Sequence, residues 1–379
     1  MKKVFVALVL FLLFAPLVYA DDSLNLDSTS VILIDASSGK VLYEKNPDEK
    51  LPMASMTKIM SMLLIMERIE EGTLNYTDKV IISKNASSMG GSQVFLQEGE
   101  EYPVESLLKC IAVSSANDAV VAMAEKISGS VEQFVNLMNE KATSLGLTNT
   151  HFANPHGLDN EDHYSTAREM SILGKELLKY PDILKYTSIY EDYLTKPDGS
   201  QIWLVNTNRL VRFYDGVDGL KTGFTTDAGY CLTATAKKND LRLISVVMKS
   251  SSADNRSKDT ATLLTYGFNS FKNHVIYSKD KALGEVNVLR GKLEKVQVYL
   301  KEDATELLGV TEKPKEYSFD IKVKDITAPL AKNTIVGNAS IIDNEGNIIK
   351  EVDLIIKEDL QSANFWDYFK KNMKKITAG

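Results

Sequence analysis

The hydrophobic pattern begins and ends on a strand period with helical periods in between, and this bracket constrains the fold more than any other feature. TSVILIDASSGKVLYEKN, residues 29–46, is two β-rich runs around a Ser-Ser-Gly turn. GYCLTATAKKNDLRLISVVMKS, residues 229–250, repeats the arrangement around Lys-Asn-Asp. Between them lie helical segments. SMTKIMSMLLIMERIEEG is apolar almost all round and belongs in the middle of a domain. VESLLKCIAVSSANDAVVAMAEKISG is a mostly apolar helical region interrupted near Ser114. SVEQFVNLMNEKATSLGL has a serine cap signal and a glycine stop, STAREMSILGKELLKY is a further helix, and SKDTATLLTYGFNSF is another that follows the second hairpin. The economical solution is an α+β domain: an antiparallel sheet built from the two chain ends, with helices packed on it.

From about Val275 the helical pattern stops. GEVNVLRG, KVQVYLK, YSFDIKVK and NASIIDNEGNIIKEVDLIIK read as short alternating strands with Gly and Asn-Glu-Gly turns, a separate small β-domain. The boundary falls near 273, which divides the chain into 21–273 and 274–360. Residues 1–20 are expected to be a secretory signal peptide: Lys2 and Lys3, an apolar run from Val4 to Leu13, and Val18-Tyr19-Ala20 ahead of Asp21. The expected location is therefore the outer face of the cytoplasmic membrane or the cell wall. In the tail, 361–379, Phe365, Trp366, Phe369, Met373 and Ile376 share one side and Lys370, Lys371, Lys374 and Lys375 flank it. That pattern predicts an in-plane membrane helix, too short and too charged to span.

A net charge of −7 argues against a nucleic-acid partner. Cys110 and Cys231 both sit in apolar runs and are expected as buried small side chains rather than a disulfide or a nucleophile.

The chemistry turns on Ser-x-x-Lys, which occurs four times: Ser37 with Lys40, Ser55 with Lys58, Ser106 with Lys109 and Ser278 with Lys281. Residues three apart share a helix face, and a serine just inside a helix start has a free backbone N–H at the positive end of the dipole. Ser55 meets both conditions. Ser37 lies in the hairpin turn, Ser106 is placed inside a helix with its N–H already used, and Ser278 is placed in a polar linker. Burial of Lys58 beside IMSMLLIM would lower its pKa toward that of a base.

Two further patterns join it. Ser115-Ala116-Asn117 puts a hydroxyl and an amide into an apolar helical region, where polar groups need a reason to be. Lys221-Thr222-Gly223 occurs once; on an edge strand it would offer a cation, a hydroxyl and a close backbone approach to a ligand.

Ser-x-x-Lys, Ser-x-Asn and Lys-Thr-Gly in this order mark the penicillin-binding proteins and class A β-lactamases. With SSANDAVVAMAE, NPHGLD, STAREM, NTNRLV and DGLKTGFTTDAGYCLTATA, the chain resembles the low-molecular-mass penicillin-binding proteins that are D-alanyl-D-alanine carboxypeptidases, serine peptidase family S11. The resemblance covers residues 27–273 most closely, and the β-domain and amphipathic tail match the same architecture. It implies a penicillin-binding/β-lactamase-like catalytic fold and a peptidoglycan stem peptide ending in D-Ala-D-Ala as substrate. β-Lactams are implied as inhibitors, and neither a metal nor an organic cofactor is implied. By the same resemblance Ser55 is the nucleophile, Lys58 takes its proton and Ser115 relays a proton to the leaving D-alanine. Asn117 orients the substrate amide and the lysine, and Lys221 and Thr222 bind the terminal carboxylate with Arg256 assisting. Gly223 allows the close approach, and the backbone N–H groups of Ser55 and Phe224 form the oxyanion hole.

Two departures stand out: Ser-Ala-Asn for the more frequent Ser-Gly-Asn, and Phe224 where many members carry histidine, a change that could alter deacylation. A β-lactamase lacks a use for the β-domain and tail. A peptidoglycan endopeptidase using the same chemistry stays open. A non-enzymatic wall-binding protein fits the retained motifs poorly. No Gly-x-Ser-x-Gly or His-Glu-x-x-His occurs, and His156 is read as a structural loop residue.

Overall fold

A computed structural model describes residues 24–367 and 369. The leader expected over 1–20 and most of the expected tail helix lie outside these residues. Five antiparallel strands form the principal sheet: β1 (Ser30–Asp35), β2 (Val41–Lys45), β3 (Val217–Thr225), β4 (Gly229–Lys238) and β5 (Leu241–Ser250), in the order β2-β1-β5-β4-β3. The first hairpin thus pairs directly with the last strand of the second, Val31 opposite Val247, and the sheet is closed by chain ends as expected.

Both faces of this sheet are covered, so its central strands are buried on both sides and mostly apolar, with Thr233, Thr235 and Ser245 among the buried exceptions. Ile32, Ile34, Ile244 and Val246 face one core, shared with helices α1 (Lys58–Glu70), α2 (Val104–Ser114), α3 (Asn117–Ser128) and α4 (Ala167–Leu177). Val31, Leu33, Leu243 and Val247 face the other, where α5 (Ala253–Ser270) contributes Leu263 and Leu264. The period of two sorts alternate residues to opposite sides.

Helix α1 runs through the larger core and is buried from Lys58 to Met66. Its seven apolar side chains there contribute on the order of 10–20 kcal/mol of gross burial energy. That offsets the several kcal/mol that burying an amine costs, which is how Lys58 can sit at the head of an apolar helix. Helix α2 stops at Ser114, Ser115 takes a left-handed conformation (φ 63°), and α3 starts at Asn117.

α5 ends at Ser270, and strands with their own core follow from Phe271 to Ile356, including a six-stranded sheet. Two sequence expectations need correction. Ser106 is inside a helix, α2, as expected, but in its first turn, which starts at Val104 after Pro103 and leaves its N–H without an intrahelical acceptor; what removes it from contention is Lys109, which pairs with Asp192 at 2.7 Å. Ser278 lies in a turn after the strand Phe271–Tyr277 rather than in a linker. Cys110 and Cys231 are buried free thiols. Among the described residues no helix is long and apolar enough to cross a membrane.

Candidate active site

The nucleophile candidate sits on a strained turn. Ala54–Thr57 is a 3₁₀ turn that runs into α1, and Ala54 has φ 48°, a left-handed conformation that costs a non-glycine residue about 1–3 kcal/mol. Three contacts hold it. Thr57 Oγ1 donates to the Ala54 carbonyl at 2.7 Å. Gly157 packs flat on the Ala54 peptide, so closely that a Cβ there would overlap the Ala54 carbonyl and lie 2.8 Å from the Ser55 nitrogen. Gly223, on the edge strand β3, packs on the other side, where a Cβ would lie 2.7 Å from the Met53 carbonyl. The glycine of Lys-Thr-Gly therefore serves the backbone approach of strand to turn. Ser55 is left half-buried, with its N–H in the first turn, where no intrahelical acceptor exists.

Lys58 Nζ makes three contacts: Ser55 Oγ at 3.0 Å, Asn117 Oδ1 at 2.7 Å and the His156 carbonyl at 2.8 Å. Burial pushes its pKa well below the ordinary lysine value, and the nearby Lys221 charge pushes the same way. A neutral amine has two N–H bonds and one lone pair. The two carbonyl oxygens can only accept, so they take the two protons, and the lone pair is left for the Ser55 hydroxyl. This arrangement makes Lys58 a base aimed at Ser55.

The break between α2 and α3 supplies the opposite wall. Ser115 Oγ is buried without a hydrogen-bond partner among the described residues. Asn117 is held from three sides: Oδ1 on Lys58, Nδ2 on the Gly90 carbonyl at 2.8 Å, and its backbone N–H on the Ser92 carbonyl at 2.7 Å. Next to it the buried Asp118 carboxylate accepts the backbone N–H groups of Val94 and Leu96 at 3.0 and 3.1 Å, tying that loop to the head of α3.

Strand β3 forms the third side. Lys221 is buried, and one of its protons goes to the Thr222 carbonyl at 3.1 Å. Burial, then the Arg256 charge, lowers its pKa to about 7. Arg256 is buried as well, with Nε lacking a partner among the described residues. Two desolvated cations on one side suit a carboxylate, whose arrival would restore the Lys221 charge. Thr222 Oγ1 bonds Thr207 Oγ1 at 2.6 Å. Phe224 is exposed and stacks on Tyr230 with ring centroids 4.3 Å apart.

All nine sequence-selected residues thus lie on the nucleophile turn and α1, the α2–α3 break, β3, or the head of α5. Direct side-chain bonds join Ser55, Lys58 and Asn117, and electrostatics couples Lys221 to both Lys58 and Arg256. The backbone role of the NPHGLD loop is not legible in the sequence. The His156 ring is structural, kept neutral by burial with its pKa lowered to about 3, but its carbonyl takes a Lys58 proton and Gly157 seats the turn. Backbone groups leave no residue-type signal; Gly157 alone, beside a histidine and a proline, hinted at a close approach. Asp118 and Thr207 were missed too. A buried aspartate within AND-AVVAMA was the available signal for the first.

Comparison with known proteins agrees. The sequence profile of D-alanyl-D-alanine carboxypeptidases matches residues 18–252, and that of the penicillin-binding protein 5 C-terminal domain matches 271–362. The chain is 45% identical over 372 residues to the D-alanyl-D-alanine carboxypeptidase DacF of Bacillus subtilis (strain 168), covering 96% of this chain and 95% of that one. It is 35% identical over 372 residues to DacC of Escherichia coli (strain K12), covering 94% and 92%. Penicillin binding protein 5 of Haemophilus influenzae superposes with a TM-score of 0.68 at 32% identity, covering 89% of this chain and 98% of that one. The ampicillin-bound penicillin-binding protein D2 of Listeria monocytogenes does so with a TM-score of 0.58 at 31% identity, over 64% of this chain and 98% of that one. With the serine–lysine pair, the polar break and the cationic edge strand in one place, these matches establish that the chain belongs to the D-alanyl-D-alanine carboxypeptidases, the S11 serine peptidases among the low-molecular-mass penicillin-binding proteins.

Proposed function

We propose that this chain removes the terminal D-alanine from peptidoglycan stem pentapeptides through an acyl-enzyme on Ser55. The observation that carries the assignment is Lys58, whose two N–H acceptors leave its lone pair for the Ser55 hydroxyl at 3.0 Å. Ser55 Oγ attacks the carbonyl carbon of the D-Ala-D-Ala bond as Lys58 takes its proton. The oxyanion develops between the backbone N–H groups of Ser55 and Phe224, the interaction that usually supplies the largest share of such catalysis. The C–N bond then breaks, and the leaving amine takes a proton by way of Ser115, whose partnerless Oγ has capacity to spare. Lys221, Thr222 and Arg256 hold the terminal carboxylate. Water attacks the acyl carbonyl, and the proton returns through Lys58.

β-Lactams present the same carbonyl and carboxylate and acylate Ser55; the ampicillin-bound Listeria relative supports this. Intact-mass spectrometry with benzylpenicillin, beside Ser55→Ala, is the direct test. A long-lived adduct on Ser55 supports the peptidase, and D-alanine release from a pentapeptide then measures the activity. Fast penicillin turnover without an adduct points to a β-lactamase. Neither adduct nor turnover in folded protein sinks the active-serine reading.

The enzyme works outside the cytoplasmic membrane, exported by residues 1–20 and held at the lipid surface by the aromatic and lysine-rich tail. The exposure of Phe365, Trp366 and Phe369 supports the tail reading. Co-sedimentation with anionic vesicles should be lost on truncation after Ser362; equal binding by the truncated chain would refute it.

A further inference from the structure

The buried ring of His163 faces the nucleophile turn and takes part in none of the chemistry above. Its Nε2 lies 2.6 Å from Thr57 Oγ1, and its Nδ1 lies 3.0 Å from the backbone nitrogen of Ala153. The proton positions follow from the partners. The Ala54 carbonyl can only accept, so the single Thr57 hydroxyl proton goes to it. Thr57 Oγ1 must then accept from Nε2–H, while Nδ1 accepts from the Ala153 N–H. One neutral tautomer satisfies the whole chain, and burial keeps the ring neutral, with its pKa lowered to about 4.

The end of this chain is the Ala54 carbonyl, the oxygen of the residue held at φ 48° immediately before Ser55. The Thr57 bond to that carbonyl is one of the three contacts that hold Ala54 in this conformation, and the one that the His163 ring can influence. His163 is itself fixed by the two residues that follow it. Tyr164 pairs with His151 through two backbone bonds, and Ser165 pairs with Leu51, close before the turn, through bonds of 2.9 and 3.0 Å. The edge of Phe152 closes the remaining side at 5.9 Å between ring centroids.

We propose that His163 is a positioning residue for acylation, acting through Thr57 to hold the strained Ala54 turn that aims Ser55 at Lys58. The inference rests on the reading of Ser55 as nucleophile. It assigns His163 to the acylation step and leaves noncovalent substrate binding to Lys221, Thr222 and Arg256.

The test separates the acylation rate constant from the preceding dissociation constant, using a fluorescent penicillin and stopped-flow mixing on the purified chain. His163→Asn is too short to reach Thr57; His163→Gln restores a donor near the Nε2 position; Thr57→Val removes the link from the other end. Acylation is expected to slow at least 30-fold in His163→Asn and in Thr57→Val, with the dissociation constant within threefold of wild type. His163→Gln should recover at least tenfold of that loss. The double variant His163→Asn/Thr57→Val should be no slower than the slower single, because both act through one link. Wild-type acylation in folded His163→Asn, or losses that multiply in the double variant, would overturn the proposal while leaving Ser55 as nucleophile. If His163→Asn does not fold, His163→Gln against Thr57→Val decides: equal rates overturn the link and a tenfold gap supports it. A wild-type chain that forms no adduct on Ser55 removes both the proposal and the reading beneath it.

Discussion

Replacing Gly157 by alanine adds one methyl group to a loop that no sequence motif marks as catalytic. Gly157 has φ +95°, outside the region alanine occupies comfortably, and its new Cβ would overlap the Ala54 carbonyl. The backbone term is about 1–3 kcal/mol. Forcing a methyl into a filled space adds about 1–3 kcal/mol more. The clash is with backbone rather than with the end of a flexible side chain, so loop and turn must part by roughly 1 Å to relieve it, and a shift of that size costs about 10²-fold in rate when it lies between reacting groups. The His156 carbonyl moves with its neighbour, which also loosens one of the two acceptors that orient the Lys58 lone pair. Gly157→Ala should therefore slow acylation of Ser55 by about 100-fold or more, equivalent to about 2.7 kcal/mol, with a lowered melting temperature but a folded protein. The assay is penicillin acylation followed by intact mass, beside a thermal melt. A folded Gly157→Ala chain acylating within threefold of wild type would refute the argument that this loop seats the nucleophile.

Lys58→Arg should be as inactive as Lys58→Ala, down about 10²–10⁴-fold, because a guanidinium keeps its charge and cannot serve as base; an active arginine variant in the acylation assay would contradict the lone-pair assignment. kcat/KM for a carboxylate substrate should rise with pH as Lys58 loses its proton and fall as Lys221 loses its charge, with pKa about 7 in the free enzyme. Lys221→Arg should move that alkaline limb upward, which a pH–rate profile checks. The same shift acts on stability. Lys221 binds its proton more weakly folded than unfolded, so its contribution to stability rises with pH from about 7 toward the unfolded value of about 10.4 and is flat below about 7; a Lys221→Met chain should lose that part of the slope in denaturant melts. Asp118→Asn keeps the side-chain shape but weakens the acceptor for Val94 and Leu96. It should speed hydrogen exchange at those two amides by about tenfold or more, consistent with a charged-acceptor bond of about 1.5–3 kcal/mol, and unchanged exchange would show that the carboxylate does not hold the loop.

Much of this protein is legible before any folding is considered. Hydrophobic period distinguishes strands from helices, so the closing of the sheet by Val31 against Val247 follows from two hairpins bracketing helices. The interruption at Ser114 is visible because serine and asparagine in an apolar helix are expensive. Ser55, Lys58 and Lys221 are legible because their side chains carry the chemistry and their spacing is fixed by one helix and one strand. Tertiary structure decided the rest. The rejection of Ser106 rests on Lys109 finding Asp192, a partner 83 residues away that no local pattern reveals. The orientation of the Lys58 lone pair depends on the carbonyl of His156, and the aim of Ser55 on contacts at Ala54 from Gly157, Gly223 and the His163–Thr57 pair. Those contacts are made by backbone atoms, by an absent Cβ, or by a histidine tautomer, and none of these is written in residue identity. Sequence names the groups that react; only the packing of distant loops against one strained turn sets the ångström-scale distances at which they can.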